Sequence, residues 1–231
     1  MKAGLASKNV AAEIDRRREL PEAGEAEQKY LTDTQLLDLA RAAGRFETLT
    51  LILGYCGLRI SEAAALRRKH VGDRELTIMA SATAVAREGI VESGTKTRRT
   101  RRVPVPEPVW DRLKSELPTE SDMLVFPSRK VGYLPLGEYR WAFDAALRTV
   151  QEACKAKRQH EIAVSGEATT PDFATITPHA LRHTCASLAI SEGANVKVVQ
   201  RLLGHASATM TLDRYGHLMS DDFCRGGGRT R

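Results

Sequence analysis

The chain has 231 residues, with 35 Lys and Arg against 29 Asp and Glu and a formal net charge of +6. That length provides one sizeable core, and the positive balance suits a polyanionic partner such as nucleic acid. No window reaches the roughly 18 apolar residues of a membrane span, and the opening segment MKAGLASKNVAAEIDRRREL lacks the apolar centre of a signal peptide, so a cytoplasmic protein without membrane contact is expected. Cys56, Cys154, Cys185 and Cys224 lie far apart, three of them in apolar helical patterns, which argues against a zinc pair or a disulfide framework.

In chain order, residues 1–29 mix charges and contain Pro21 and Gly24, the composition of a linker. Folded structure is expected from Thr32. Thr32 and Gln35 have the spacing of a capping box, Leu36, Leu39, Ala40 and Ala43 repeat on one helical face, and Gly44 supplies a stop. A second apolar helix runs from about Phe46 to Cys56 and ends at Gly57, placing Arg59 at a helix junction with Ser61 ready to cap SEAAALRR. From Leu76 to Val105 the short apolar runs LTIM, IVE and VPV, punctuated by Gly89 and Gly94, predict three short antiparallel strands. Between Lys96 and Arg102 five of seven residues are basic. In an extended conformation these cations occupy both faces, so the segment cannot be a buried strand.

Helices return with EPVWDRLKSEL after Pro106, and with LGEYRWAFDAALRTVQEAC, where Phe143, Leu147, Val150 and Cys154 make one stripe. Lys155 to Thr175 reads as a polar loop, and Thr177 with Pro178 as a helix start. Gly204 ends the VVQRLL helix with His205 just past it, and Ser207 caps a last helix that carries Tyr215 about two turns on. The pattern is a mainly α fold with one small antiparallel β-sheet.

The last quarter holds the chemistry. His179 and Arg182, three apart, share a helix face and can address one small anion. With His205 and Tyr215 they fall within about 37 residues, a phosphate site with a hydroxyl nucleophile and no carboxylate placed to hold a metal. A zinc site on HALRH needs a glutamate at the second position of the motif, where Ala180 stands. Phosphodiester transfer without metal or nucleotide requires a nucleophile, a leaving-group acid and fixed positive charge on the non-bridging oxygens. Arg59 and Arg182 can act as planar forks on those oxygens. Glu62, three residues after Arg59, can pair with it and orient it. His70 and His160 have no partner in the sequence and read as surface residues.

Five blocks carry a resemblance to a known family: GLRISEAAAL with Arg59, GTKTRRTRRVPV with Lys96, PHALRHT with His179 and Arg182, LLGHAS with His205, and TLDRYGH with Tyr215. In this order, from Tyr30 to about Leu218, they resemble the tyrosine recombinases of the phage-integrase class. The resemblance implies the tyrosine-recombinase catalytic domain fold at 30–218, a linker or the end of a core-binding region at 1–29, and a C-terminal tail at 219–231 whose Met219 and Phe223 can anchor on a neighbour. It implies site-specific strand exchange in double-stranded DNA through a 3′-phosphotyrosyl intermediate, without cofactor, metal or ATP. Tyr215 is then the nucleophile, His179 its proton acceptor, His205 a donor to a non-bridging oxygen, and Lys96 the acid on the leaving 5′ oxygen. His183 is a packing or supporting histidine, and Arg98, Arg99, Arg101 and Arg102 track the DNA backbone. The partners implied are a homo-tetramer on DNA, a monomer without it, and accessory DNA-bending or directionality proteins. The rival readings are a type IB topoisomerase, which shares the chemistry, and a DNA-binding module without catalysis.

Overall fold

The computed structural model describes residues 30–85, 89–94 and 100–225, with side chains as far as Met219. Helix α1 (Asp33–Ala42) begins at the capping box: Gln35 N–H donates to the Thr32 hydroxyl, and Thr32 N–H donates to the Gln35 side chain. A short 3₁₀ turn (Gly44–Phe46) leads into α2 (Glu47–Cys56). Helix α2 is buried from Thr48 to Gly54, as a helix apolar on nearly every side must be. It forms the centre of the core.

Helix α3 (Ile60–Ala64) starts earlier than Ser61 and ends well before Arg68. The cap is not a serine. Arg59 occupies the N-cap position, and the Glu62 carboxylate in the first turn accepts the Arg59 N–H at 2.8 Å, satisfying one of the donors a helix start leaves open.

The β region departs from the three expected strands. Among the described residues, four strands form two antiparallel pairs: β1 (Glu75–Ile78) with β4 (Arg101–Pro104), and β2 (Ala80–Val85) with β3 (Gly89–Gly94). Leu76 opposite Val103, both fully buried, fixes the first register. The extra strand, ASATAV, has little signal in the sequence because it buries only the small Ala82. In β4 the cations do alternate between faces, but Arg101 faces inward and is only 13% exposed.

Helix α4 (Glu107–Glu116) follows Pro106 as expected. Helix α5 (Leu136–Ser165) runs well past Cys154 and absorbs the first half of the expected loop. The segment KAKRQHEIAVS contains no breaker until Gly166, whose left-handed backbone ends the helix. Its polarity marks a solvated helix, and the Glu161 carboxylate accepts both Thr169 and Thr170 N–H groups. Helix α6 (Ala180–Ser191) starts after Thr177 and Pro178, which form a preceding turn, with Thr177 C=O accepting Ala180 N–H at 2.9 Å. Asn195 caps α7 (Val196–Leu203), accepting from Lys197 and Val198 N–H. Helix α8 (Ala208–Arg225) continues beyond Leu218, where a tail was expected. Its start is tied by Ser207, whose hydroxyl accepts Met210 N–H.

Helix α2 packs on α1, α4 and α6, while α8 packs on α6 and α7. A second small cluster, Cys185, Ala186, Ile190, Val199, Leu203 and Tyr215, lies under those last three helices. Among the described residues no helix is long and apolar enough to cross a membrane.

Candidate active site

Two glycines in the left-handed region set the frame. Gly57 (φ 63°) ends α2 and turns the chain so that Arg59 precedes α3, and Gly204 (φ 64°) ends α7 and releases His205 into the site. Arg182, on the first turn of α6, is 4% exposed and donates to Gly57 C=O and Leu203 C=O. The two helix ends are thus joined by one guanidinium. The carbonyls at the end of α7 have no intrahelical partner and carry the negative end of its dipole, which suits a cation there.

Glu62 lies behind this frame, its side chain 2% exposed. It receives four donors: Arg59 N–H (2.8 Å) and Arg59 Nη1 (2.9 Å), and Arg101 Nη1 (2.9 Å) and Nη2 (2.6 Å). Burial works to raise its pKa, but contacts with Arg101 and then Arg59 outweigh it and hold the carboxyl below its ordinary value. Arg59 keeps 45% of its side chain exposed and faces outward from this anchor.

Tyr215 is 1% exposed. Its hydroxyl lies 2.7 Å from His183 Nδ1, and its ring stacks parallel to His205 with centroids 6.5 Å apart. Burial, against the opposing pull of Arg182 and Arg214, pushes the phenol up to about 12. Burial also lowers His183 to about 4, with His179 and Arg214 adding to it, and lowers His205 to about 4, with Arg182 and Arg59 adding. Both imidazoles are therefore neutral at pH 7, and His183 Nδ1 can accept the hydrogen bond of the tyrosine hydroxyl. His205 Nδ1 is 3.0 Å from the buried Thr211 hydroxyl, which fixes its ring. The edge of His179 packs against His183 at 5.2 Å, and burial followed by the Arg182 charge lowers its pKa. Burial and then Arg59 bring Arg182 itself down to about 10.

Arg59, Glu62, His179, Arg182, His183, His205 and Tyr215 thus share one site. Two placements differ from expectation. His183, on the same face as His179 one turn on, holds the tyrosine hydroxyl, while the His179 imidazole makes no hydrogen bond among the described residues. Arg101 is paired with Glu62 rather than directed to solvent, because its strand buries the alternate face on which it falls. Arg102 is exposed and lines an open cleft of about 800 Å³ with Lys197, Gln200, Arg201 and His205, to which the largely buried Arg101 also adds an edge. Lys96, Arg98 and Arg99 lie outside the described residues.

Sequence reasoning missed four residues: Arg214, whose charge acts on His179, His183, His205 and Tyr215; Thr211; and the basic pair Lys197 and Arg201 on α7. Arg214 had a signal, since it directly precedes the tyrosine in TLDRYGH. The α7 pair had another, an i,i+4 spacing on the helix before LLGHAS. Among the described residues no group of three His, Cys, Asp or Glu side chains is arranged to hold a metal ion.

Arginine and histidine side chains thus surround a buried tyrosine hydroxyl, and comparison with known proteins gives the family. Residues 29–221 match the phage integrase family, and the chain belongs to it. It is 31% identical over 201 residues to a tyrosine recombinase of Thermosipho africanus, covering 84% of this chain and 57% of that protein. It is 28% identical to the integrase of Escherichia phage 186, covering 85% of this chain and 46% of that one. The chain therefore spans about half the length of these curated relatives. The Tn1549 transposon integrase, solved in complex with a circular intermediate DNA, superimposes with a TM-score of 0.67 at 21% identity, covering 89% of this chain and 68% of that one. That likeness establishes the fold.

Proposed function

We propose that this chain breaks and rejoins double-stranded DNA at specific sites, with Tyr215 as the nucleophile and no metal or nucleotide cofactor. The observation that supports this most directly is the contact between the Tyr215 hydroxyl and a neutral His183, beside two arginines suited to phosphate. Tyr215 Oη attacks the scissile phosphorus and gives its proton to His183 Nδ1. Arg59 and Arg182 neutralise the non-bridging oxygens, where Arg182 still has N–H groups beyond the two bound to carbonyls. With the Thr211 hydroxyl donating to Nδ1, His205 presents Nε2–H to a third position on the phosphate. The bond to the 5′ oxygen breaks, and Lys96 protonates that oxygen. The 3′-phosphotyrosyl linkage keeps the energy of the broken phosphodiester, so a new 5′ hydroxyl can reverse the step without ATP. Strand exchange takes four copies around two duplexes, in the compartment that holds the DNA.

The test is a suicide duplex nicked next to the crossover, so that the released fragment diffuses away and the adduct accumulates. Wild type is expected to give a covalent band on a denaturing gel, and Tyr215→Phe to give none while binding the same duplex with about unchanged affinity. An adduct that persists in Tyr215→Phe would remove Tyr215 from the reaction.

A further inference from the structure

Arg101 belongs to a basic run whose expected task was to meet the DNA backbone, and the structure gives it another. Its guanidinium spans both oxygens of Glu62, at 2.9 and 2.6 Å, while Nε reaches Leu202 C=O at 3.3 Å. The side chain is 13% exposed, and its stem runs so close over Gly204 that a Cβ there would lie 3.0 Å from Arg101 Cδ. One residue therefore touches β4, the carboxylate that holds Arg59, and the end of α7 from which His205 emerges. Glu62 has no oxygen left over, since each accepts one bond from Arg59 and one from Arg101. A carboxylate held from one side by a fixed fork presents its remaining lone pairs to the other partner in a fixed direction.

We propose that Arg101 is a positioning residue that aims Arg59 at the scissile phosphate through the shared Glu62 carboxylate, and so links β4 and the α7 terminus to the phosphate site. Arg101 makes no DNA contact in this role. Arg59, with 45% of its side chain exposed, hydrogen-bonds among the described residues to Glu62, and that carboxylate selects among its rotamers. The proposal rests on the recombinase reading for its kinetic consequence, and on the Glu62 geometry alone for its structural one.

Single-turnover cleavage of the suicide duplex by wild type, Arg101→Ala, Arg101→Lys, Arg59→Ala and the Arg59→Ala/Arg101→Ala double variant tests it, with each melting curve recorded. Arg101→Ala is expected to slow cleavage on the order of 10- to 100-fold, the usual range for residues that orient a reacting group. The affinity for duplex and its salt dependence should stay those of wild type. Arg101→Lys should not restore the rate, because an ammonium cannot bridge both carboxylate oxygens, and it keeps the charge if the alanine variant folds poorly. In the Arg59→Ala background the second substitution should cost almost nothing more. Equal fold-losses in both backgrounds, or a log–log salt slope reduced by about 0.9, the signature of one lost phosphate contact, would overturn the proposal. An independent readout needs no activity. In protein labelled with ¹⁵N-arginine, the Nε–H signal that disappears in Arg59→Ala should shift or broaden in Arg101→Lys. An unchanged signal refutes the coupling even if wild type forms no covalent adduct, an outcome that would sink the recombinase reading separately.

Discussion

Gly57→Ala probes how tightly the site depends on the α2 terminus. A Cβ at this position would lie 2.8 Å from Leu203 Cδ2 and 3.0 Å from Cys185 Sγ, distances that van der Waals contact does not permit. Both neighbours are buried, at 0% and 2% exposure, so neither can swing into solvent. The φ of 63° adds a left-handed penalty of about 1–2 kcal/mol, and overpacking a filled core adds about 1–3 kcal/mol. A loss of roughly 3 kcal/mol is expected from these two costs together. Gly44 provides the control, since its φ is 59° but a Cβ added there would meet nothing within 4 Å. Gly44→Ala should cost only about 1 kcal/mol, the left-handed penalty alone. Equilibrium urea unfolding at constant m separates the two. Because Gly57 C=O accepts from Arg182, Gly57→Ala should also lose cleavage by roughly tenfold or more under conditions where it is fully folded, as expected when a reacting group is misplaced, while Gly44→Ala cleaves normally. Equal destabilisation of the two variants would refute the packing argument, and undiminished cleavage by folded Gly57→Ala would refute the link to Arg182.

The remaining expectations concern pH, capping and metal dependence. His183 and His205 titrate near 4 in the fold but near 6.5 in the unfolded chain, so between those values the unfolded state binds more protons and stability falls as the pH is lowered. Stability measured by urea unfolding that stays flat from about pH 6.5 to 4.5 would contradict their burial in the neutral form. Glu62, with its pKa lowered from an ordinary value of 4.5, contributes stability above that value and loses it as pH falls through its folded value; Glu62→Gln should abolish this acid limb. Asn195→Ala should cost about 1 kcal/mol, the worth of an N-cap, and Asn195→Asp should restore most of it in the same unfolding assay. Covalent cleavage should persist in EDTA, since guanidinium groups supply the positive charge; loss on chelation with recovery in magnesium would show that a metal takes part.

Much of this was legible because short-range rules apply where the sequence is punctuated. Thr32 with Gln35, Gly57, Gly204 and Ser207 each mark a boundary by local hydrogen bonding or backbone freedom, and the structure ends or starts helices at those places. Ser61 misled because a helix start need not be closed by a serine: the Glu62 carboxylate, inside the first turn, reaches back to the N–H of Arg59 at the N-cap. The long α5 misled because polarity is shared by loops and solvated helices, and only the absence of a breaker before Gly166 distinguishes them. The site residues could be named from their blocks, but their pairing could not. Which of His179 and His183 meets Tyr215 depends on how α8 crosses α6. Whether Arg101 faces DNA or Glu62 depends on the register of β4 against β1. Both are long-range facts that no local pattern encodes.

The electrostatics of the site follow from the same packing. Among the described residues, Arg59, Arg101, Arg182 and Arg214 gather around a site whose buried carboxylate is Glu62, and each histidine nearby is pushed toward its neutral form by burial and by the surrounding guanidinium charge. Burial first, and then the like charges of Arg59 and Arg101, lower the pKa of Arg182, so the cluster carries repulsion on top of its desolvation. In the proposed reaction a phosphate between Arg59 and Arg182 would relieve that repulsion, and the relief would grow as negative charge accumulates on the phosphorane oxygens, so attraction would be stronger for the transition state than for the substrate. The tyrosine fits the same logic. Its phenol, pushed up to about 12 by burial, is a poor nucleophile at rest, and in the proposed reaction the contact with a neutral His183 would give its proton a destination only when the phosphate is in place to accept the oxygen. In the proposed reaction a buried, protonated tyrosine beside a neutral imidazole is a restrained nucleophile: the arrangement disfavours stray attack and reserves reactivity for a phosphodiester that completes the charge balance.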